Sequence, residues 1–417
     1  MQFFDGMKRA DTGAAEEAAV PGDGRYLTIC HYDHANDRTY AENLSEYLAA
    51  RQVPHKVLVI GSEGQRPELE QCLRDDVFCV VGYNSQLDHA WIGRTCFIEA
   101  AAACNLPVIQ WMLDHPSVRW PEFKRSTRNN CRFLFNSEYC REYFHRYCLP
   151  WSATAAVVGV GPNHRSRIDD LTEAAFVARP VKCILPINLK RVGKTVQDLR
   201  GMHLGEQLGK AIRAAVELAR HDLDGPLERH LLATLGELGR RIGTDTFNDC
   251  FQVVTEEVQA YRRSQVLAAA REYPVLIQSD PTAGTVAEGG CAVFASNISM
   301  PATLSRMTSA CAVVSVSPLN DEIHDRTLNG LNAGCVNIVE DNVIHRRVFG
   351  DGKNALLFRY GDGSLQKCLD IVCYQPKRAY EIALAGFALR DDPRFRFGGY
   401  GAILDLARSG AAAGGKG

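Results

Sequence analysis

Between residues 311 and 361 the chain reads as strand, charged loop, helix, strand, and that order leaves few folds open. An apolar run, 312–316, ends at Pro318, and a polar turn follows with Asn320, Asp321, Glu322, His324, Asp325 and Arg326. A short helix-like stretch carrying Leu328 and Leu331 closes at Gly334, and a second apolar run occupies 336–339. The pattern predicts a βαβ unit of a parallel sheet with its charge gathered where a strand hands over to a helix. In open sheets of this kind ligands bind at the carboxyl ends of the strands. A helix N-terminus there offers N–H groups and the positive end of a dipole to a phosphate. His324 and Arg326 add donors suited to a diphosphate.

The same alternation recurs along most of the chain. Apolar runs at 26–30, 56–60, 77–81, 108–113, 131–135 and 153–158 predict strands, and 39–51, 91–104 and 138–147 predict helices between them. Strands alternating with helices at this spacing mean a parallel, doubly wound sheet. No GxGxxG marks the first strand–helix turn, so the dinucleotide fingerprint is absent. A polar stretch at about 160–180 reads as a linker, and 183–187 as the first strand of a second domain. Helical periodicity over 204–220, 226–241 and 247–272 then interrupts the repeat, predicting a helical insertion at about 200–272. Strands at 275–277 and 292–294 lead back to the 311–361 unit. The expected organisation is a leader at 1–24, a first domain at 25–165, a second at 180–375, and a helical segment at 376–410.

A chain of 417 residues exceeds what one core usually supports, in keeping with two domains. A formal net charge of −2 argues against nucleic acid as the main ligand, which would favour a basic face. Fifteen cysteines, an odd number without paired CxxC spacing, suit reduced thiols in a cytoplasmic protein better than a disulfide framework or zinc module. No apolar stretch approaches the roughly 18 residues a membrane span requires.

The elements at 311–361 are similar to the C-terminal donor domain of group 1 glycosyltransferases, especially the CgeB-like branch. They are Pro318 at a strand end, His324-Asp325-Arg326, Ala333-Gly334, the acidic Glu340-Asp341-Asn342, and the segment from Phe349 to Phe358. Residues 257–277, with Tyr261-Arg262-Arg263 and Tyr273-Pro274-Val275, also resemble this family, where a helix ends just before a strand of the donor half. The resemblance implies the GT-B fold: two Rossmann-like, doubly wound parallel-sheet domains facing a cleft, the donor on the second and the acceptor on the first. It implies transfer of a sugar from a nucleotide-sugar without a bound metal or cofactor, to a glycan, lipid, protein or small-molecule acceptor. It also implies a terminal helix that crosses back to the first domain.

On the donor side the candidates are Lys190, Arg191, Lys194, Asp321, Glu322, His324, Arg326, Asn329, Gly334, Glu340, Asp341 and Asn342. Each has a plainer reading: a surface Arg beside Asp325 for Arg326, a solvated basic run for Lys190, Arg191 and Lys194, and capping of the next helix for Glu340, Asp341 and Asn342. Many members of the wider superfamily carry two glutamates seven residues apart, and by register those places hold Asp321 and Asn329 here. Asn329 could hydrogen-bond a ribose hydroxyl but lacks the charge that strengthens such a bond.

On the acceptor side, 110–116 (Gln-Trp-Met-Leu-Asp-His-Pro) delivers Asp114 and His115 to a strand end. Either could serve as general base, or Asp114 could cap a turn and His115 bond the backbone. His31, Asp33 and His34 close the first strand and face the same edge. Two readings compete with transfer: an epimerase or hydrolase acting on the nucleotide-sugar, and an inactive binding protein that keeps the fold. The helical insertion either packs on the core or serves self-association as a homo-oligomer.

Overall fold

The computed structural model describes residues 25–60, 66–74, 76–84, 86–120, 130–148, 154–187, 206–237, 242–279, 290–296, 299–317, 323–396 and 399–414. Contacts divide the chain into two compact units, Met1–Gly161 with Pro393–Gly417, and Pro162–Asp392.

The first unit is a sheet of β1 (Tyr26–Tyr32), β2 (His55–Ile60), β3 (Val77–Tyr83), β4 (Val108–Met112), β5 (Cys131–Phe135) and β6 (Thr154–Val157). Every pairing is parallel, in the order β2-β1-β3-β4-β5-β6. Helices α1 (Ala35–Ala50), α2 (Arg66–Gln71), α3 (Phe97–Ala103) and α4 (Glu138–Tyr147) connect the strands. All seven residues of β3 are buried, as a central parallel strand covered on both faces requires. One face packs Cys30, Val80, Val108, Met112, Phe133 and Phe135 into a single core.

The second unit holds β7 (Val181–Pro186), β8 (Val275–Gln278), β9 (Val293–Ala295), β10 (Ala310–Val314), β11 (Val336–Glu340) and β12 (Leu356–Phe358). They are parallel in the order β9-β8-β7-β10-β11-β12, the order of a dinucleotide-binding sheet, with the reversal between β7 and β10. Its helices are α5 (Glu173–Val177), α6 (Glu206–His221), α7 (Glu228–Glu237), α8 (Thr244–Ala270), α9 (Met300–Met307), α10 (Asp325–Asn332), α11 (Val343–Val348), α12 (Ser364–Tyr374) and α13 (Pro376–Phe387). Alternate strand residues fill opposite faces: Cys183, Leu185, Ala312 and Val314 on one side, Ile184 and Val313 on the other. Helices α6 to α8 are the insertion expected from periodicity, between β7 and β8.

Two glycines set α10 against the sheet. A Cβ on Gly330 would lie 2.3 Å from Asn337 Oδ1 and 2.6 Å from Val313 Cγ1, so only glycine permits the approach. Gly334, with φ +61°, turns the chain out of the helix. Buried Arg179 covers the end of the same helix, donating to the carbonyls of Ala333, Gly334 and Ala310 at 2.7–2.9 Å.

Three expectations need correction. Residues 162–180 are not a loose linker: Leu171 and Phe176 are buried in the core of the second unit, and Asn163 and Ser166 bond to Asn329. The segment 376–410 is not one element. Helix α13 packs within the second unit, and the chain from Pro393, with α14 (Pro393–Arg396) and α15 (Gly401–Gly414), belongs to the first. There Tyr400 meets Trp111 and Tyr47 edge-on at 5.2 and 5.4 Å and accepts the Gly161 N–H at 3.3 Å. Finally, 91–104 is not a single helix, because Trp91–Ile92 and Thr95–Cys96 form a short antiparallel ladder before α3. No helix among the described residues is long and apolar enough to cross a membrane.

Candidate functional site

The carboxyl edge of the second sheet, beside the reversal between β7 and β10, collects His324, Arg326, Glu340, Asp341 and Asn342. β11 ends in Glu340, a carboxylate 1% exposed. Its Oε1 accepts the Ser317 N–H at 2.6 Å and the Tyr360 hydroxyl at 2.8 Å, and its Oε2 takes the Ser317 hydroxyl at 3.3 Å. Burial and then the Glu340 charge push the Tyr360 phenol well up, so it remains a hydrogen-bond donor. One residue before Ser317, the Val316 carbonyl accepts from Arg326 Nη1 at 3.2 Å. Among the described residues Arg326 has no carboxylate partner. His324 caps α10 by accepting the Arg326 N–H on Nδ1 at 3.2 Å. The same Nδ1 lies against the Asp325 carboxylate, so His324 is tied to the first turn of α10 on that nitrogen. Asp325, beside it in the first turn, already supplies an anion to the helix N-terminus.

Several donor-side candidates are committed elsewhere. Asn329 is 2% exposed. Its Oδ1 accepts from Asn163 N–H and the Ser166 hydroxyl, both at 2.8 Å, and its Nδ2 donates to the Asp325 carbonyl at 2.8 Å. With both Oδ1 lone pairs engaged and the side chain buried, Asn329 ties α10 to the segment before it. Gly334 closes α10 at the end of the helix remote from the strand carboxyl edge, so its role is a cap and not ligand approach. Asn342 caps α11, accepting the His345 N–H at 2.7 Å. Asp341 pairs with Arg346 at 2.8 Å and Arg359 at 2.7 Å. Burial alone would raise its carboxyl, but the two guanidiniums outweigh it and hold the pKa below the usual range. Lys190, Arg191, Lys194, Asp321 and Glu322 lie outside the described residues.

In the first unit an asparagine ladder ties the carboxyl ends of three strands. Asn84, at φ +46° after β3, accepts the Leu113 and Asp114 N–H groups on Oδ1 at 2.7 and 3.1 Å. Asn136, after β5, takes the Trp111 indole N–H at 3.0 Å and donates to the Leu113 carbonyl at 3.2 Å. Asp114 is thereby held at the end of β4 with its carboxylate exposed and paired to Arg119 at 2.9 Å. His115 points the other way in the chemical sense. It is buried against the rings of Tyr139 and Tyr143, at 5.5 and 4.4 Å, and its Nδ1 accepts the Ser117 N–H at 3.2 Å. Burial pulls its pKa to about 3, so the ring is neutral and built into the turn. His31 is also buried, its Nδ1 donating to the Tyr32 carbonyl at 2.7 Å. Asp33 pairs with Arg38 at 3.6 Å, and His34 occupies the cap position of α1 without a side-chain cap bond. Among the described residues no three His, Cys, Asp or Glu side chains converge as metal ligands would.

Sequence reasoning passed over Ser317, Tyr360, Arg262, Asn84 and Asn136. Arg262 had a signal of its own: it stands in the apolar stripe Val254, Val258, Val266 at helical spacing, where a charged residue has to be explained.

No protein-family model matches this sequence, and no curated protein matches it. Among solved structures, a sucrose-phosphate synthase from Thermosynechococcus elongatus is similar over 93% of this chain and 100% of that chain, with TM-score 0.51 and 10% identity. HepE of Anabaena in complex with UDP-glucose is similar over 93% of this chain and 98% of that one, with TM-score 0.46 and 10% identity. T4 phage BGT in complex with its UDP-glucose substrate covers 94% and 98%, with TM-score 0.46 and 7% identity. At such identity the likeness to the synthase establishes the fold alone: two Rossmann-like domains of the GT-B type.

Proposed function

We propose that this GT-B protein is a glycosyltransferase that takes a sugar from a nucleotide-sugar bound on the second unit and passes it to an acceptor, without a metal. The observation that carries the reading is Arg326, a guanidinium that bonds a carbonyl and no carboxylate among the described residues, at the carboxyl edge beside the strand-order reversal. Glycosyl transfer builds positive charge on the sugar and negative charge on the departing phosphate oxygen. Donors preorganised at that oxygen lower the barrier. Arg326 is such a donor, and Glu340 holds Ser317, next to the Val316 carbonyl that Arg326 bonds. The fold shared with a sucrose-phosphate synthase accords with this chemistry.

On the acceptor side we assign Asp114, the exposed carboxylate at the end of β4, as the base that takes the acceptor's proton. His115, neutral and enclosed by tyrosine rings, holds the turn that presents it. Fifteen cysteines outside disulfides suit a cytoplasmic location.

A thermal-shift panel of UDP-, GDP-, ADP-, CMP- and dTDP-sugars, with and without EDTA, tests the donor assignment. A ligand at a hundred times its dissociation constant adds about 2.7 kcal/mol, a readily visible shift. One responsive nucleotide, indifferent to EDTA and lost in Arg326→Ala, is the expected result. Silence from every nucleotide-sugar on folded protein overturns it. Turnover without an acceptor would point to an epimerase or hydrolase, and binding without any turnover to a binding protein.

A further inference from the structure

The helical insertion is fastened to the carboxyl edge of its own sheet by the turn between α6 and α7. Leu223 of that turn is 5% exposed and joins the core of the second unit, with Leu185, Val275 and Phe358. The residue before it, Asp222, accepts on its carbonyl from Nη2 of the buried Arg262 on α8, at 3.3 Å. That guanidinium lies 5.6 Å from the centre of the Tyr360 ring, and Tyr360 donates to Glu340. The residue after it, Asp224, reaches α11: its Oδ1 accepts from Arg346 Nη2 at 2.7 Å. Asp222 Oδ1 takes the Asp224 N–H at 2.9 Å, which closes the turn.

Arg346 works on two sides. Its Nη1 donates to the carbonyl and to Oδ1 of Asp341, both at 2.8 Å, while Nη2 serves Asp224. Asp341 directly follows Glu340, and its second oxygen takes Arg359 Nε, just beyond β12, at 2.7 Å. The row Asp224–Arg346–Asp341–Arg359 alternates in sign, so each inner charge has an opposite charge on both sides. The nearby Asp222 carboxylate is engaged within the insertion, by Arg229 and by His230 Nε2. Isolated surface pairs contribute little, but several charges in a network are the exception. All four side chains are a quarter to a half exposed, where dissolved ions screen them. Leu223, in the core beside them, is held by burial that screening does not touch.

We propose that this row of charges is an ionic clasp, which couples the order of the insertion to the loop after β11 and loosens as ionic strength rises. Leu223 keeps the turn seated when the clasp is open, so the insertion loosens locally and stays on the sheet. Release of Asp224 also frees one hand of Arg346, and Arg346 is one of the two guanidiniums that hold Asp341 beside Glu340. Order in the insertion is thereby passed to the carboxyl edge, and order at the edge to the insertion. The inference stands on these contacts and not on the donor reading above.

The test is amide hydrogen exchange of the full chain at low and high sodium chloride, about 0.05 M and about 0.5 M. In wild type the amides of 222–231 and 343–348 should exchange about 2- to 5-fold faster at high salt, the range that an exposed ion pair spans. Those of β3 in the first unit should not change and serve as the reference. Asp224→Asn should show the faster rates already at low salt and lose the salt response. Arg346→Gln should do the same, and the double variant should exchange no faster than Arg346→Gln alone, because both remove one contact. A wild-type turn indifferent to salt overturns the clasp, as does Asp224→Asn that matches wild type at both salt concentrations. Additive effects in the double variant overturn the direct coupling. Faster exchange across the whole second unit, in place of these two segments, makes the residues general contributors to stability and overturns the clasp as well.

Discussion

Asn329 Oδ1 accepts the backbone N–H of Asn163 at 2.8 Å, fastening helix α10 to the turn that opens the second unit. A residue whose register suggests a ribose contact is a structural clamp. Truncation in Asn329→Ala removes the acceptor of that N–H in a dry place, while the Ser166 hydroxyl keeps the Asn163 carbonyl. The expected cost is about 1–3 kcal/mol of stability, read as a lower urea midpoint. Asn329→Glu should destabilise as well, since the carboxylate would be buried and could not donate to the Asp325 carbonyl. A gain in nucleotide affinity from that charge would contradict the clamp.

Among the described residues Arg326 bonds one carbonyl and no carboxylate. Arg326→Ala should therefore change unfolding by less than about 1 kcal/mol and weaken nucleotide binding about 10- to 100-fold. Calorimetry and thermal unfolding on the same sample separate the two effects. A large stability loss with unchanged binding would make Arg326 a structural residue.

Asp114→Asn keeps the size of the side chain and removes the base. Transfer to acceptor should fall by about 10²- to 10⁴-fold, with donor binding unaltered. The comparison needs product formation and a donor titration side by side. Full transfer activity in the variant would reassign the base.

His115 gives the protein a pH dependence of definite sign. Its folded pKa, about 3, lies below the unfolded value near 6.5, so the unfolded chain binds the proton more readily. The contribution is complete above about pH 6.5 and declines as pH falls towards 3, by about 1.4 kcal/mol per pH unit. From pH 7.5 to 5 the loss is about 2 kcal/mol, measured by urea unfolding at both pH values. His115→Gln should flatten that part of the profile.

Gly334→Ala should cost about 1–2 kcal/mol without touching ligand affinity. Alanine would adopt φ +61° unfavourably, and its methyl would press the Leu171 side chain at 3.0 Å. Thermal unfolding and a nucleotide titration check both halves.

What the sequence made legible was the alternation. Helix α4 was readable from end to end, because Ser137 caps it by accepting the Cys140 N–H and its apolar residues fall on one face. Residues 91–104 misled because their apolar content suits either a helix or the ladder that Gly93 actually turns, and composition alone does not separate the two. In the site, His324 and Arg326 were visible because a charged loop after an apolar run is a local signal. Asn329 was not, since its partners lie 166 and 163 positions away. Tyr360 and Arg262 were missed for the same reason: each gains meaning only from a strand or helix distant in the chain.

The return of Pro393–Gly417 to the first unit fixes an order of events during synthesis. As the chain leaves the ribosome, the first sheet emerges early but lacks Tyr400, which covers Trp111 and Tyr47 and accepts from Gly161. The second unit, continuous from Pro162 to Asp392, has all its parts some two dozen residues sooner. The half made first is therefore completed last, and its Trp111 and Tyr47 rings lack their Tyr400 neighbour until the chain beyond the second unit has been made.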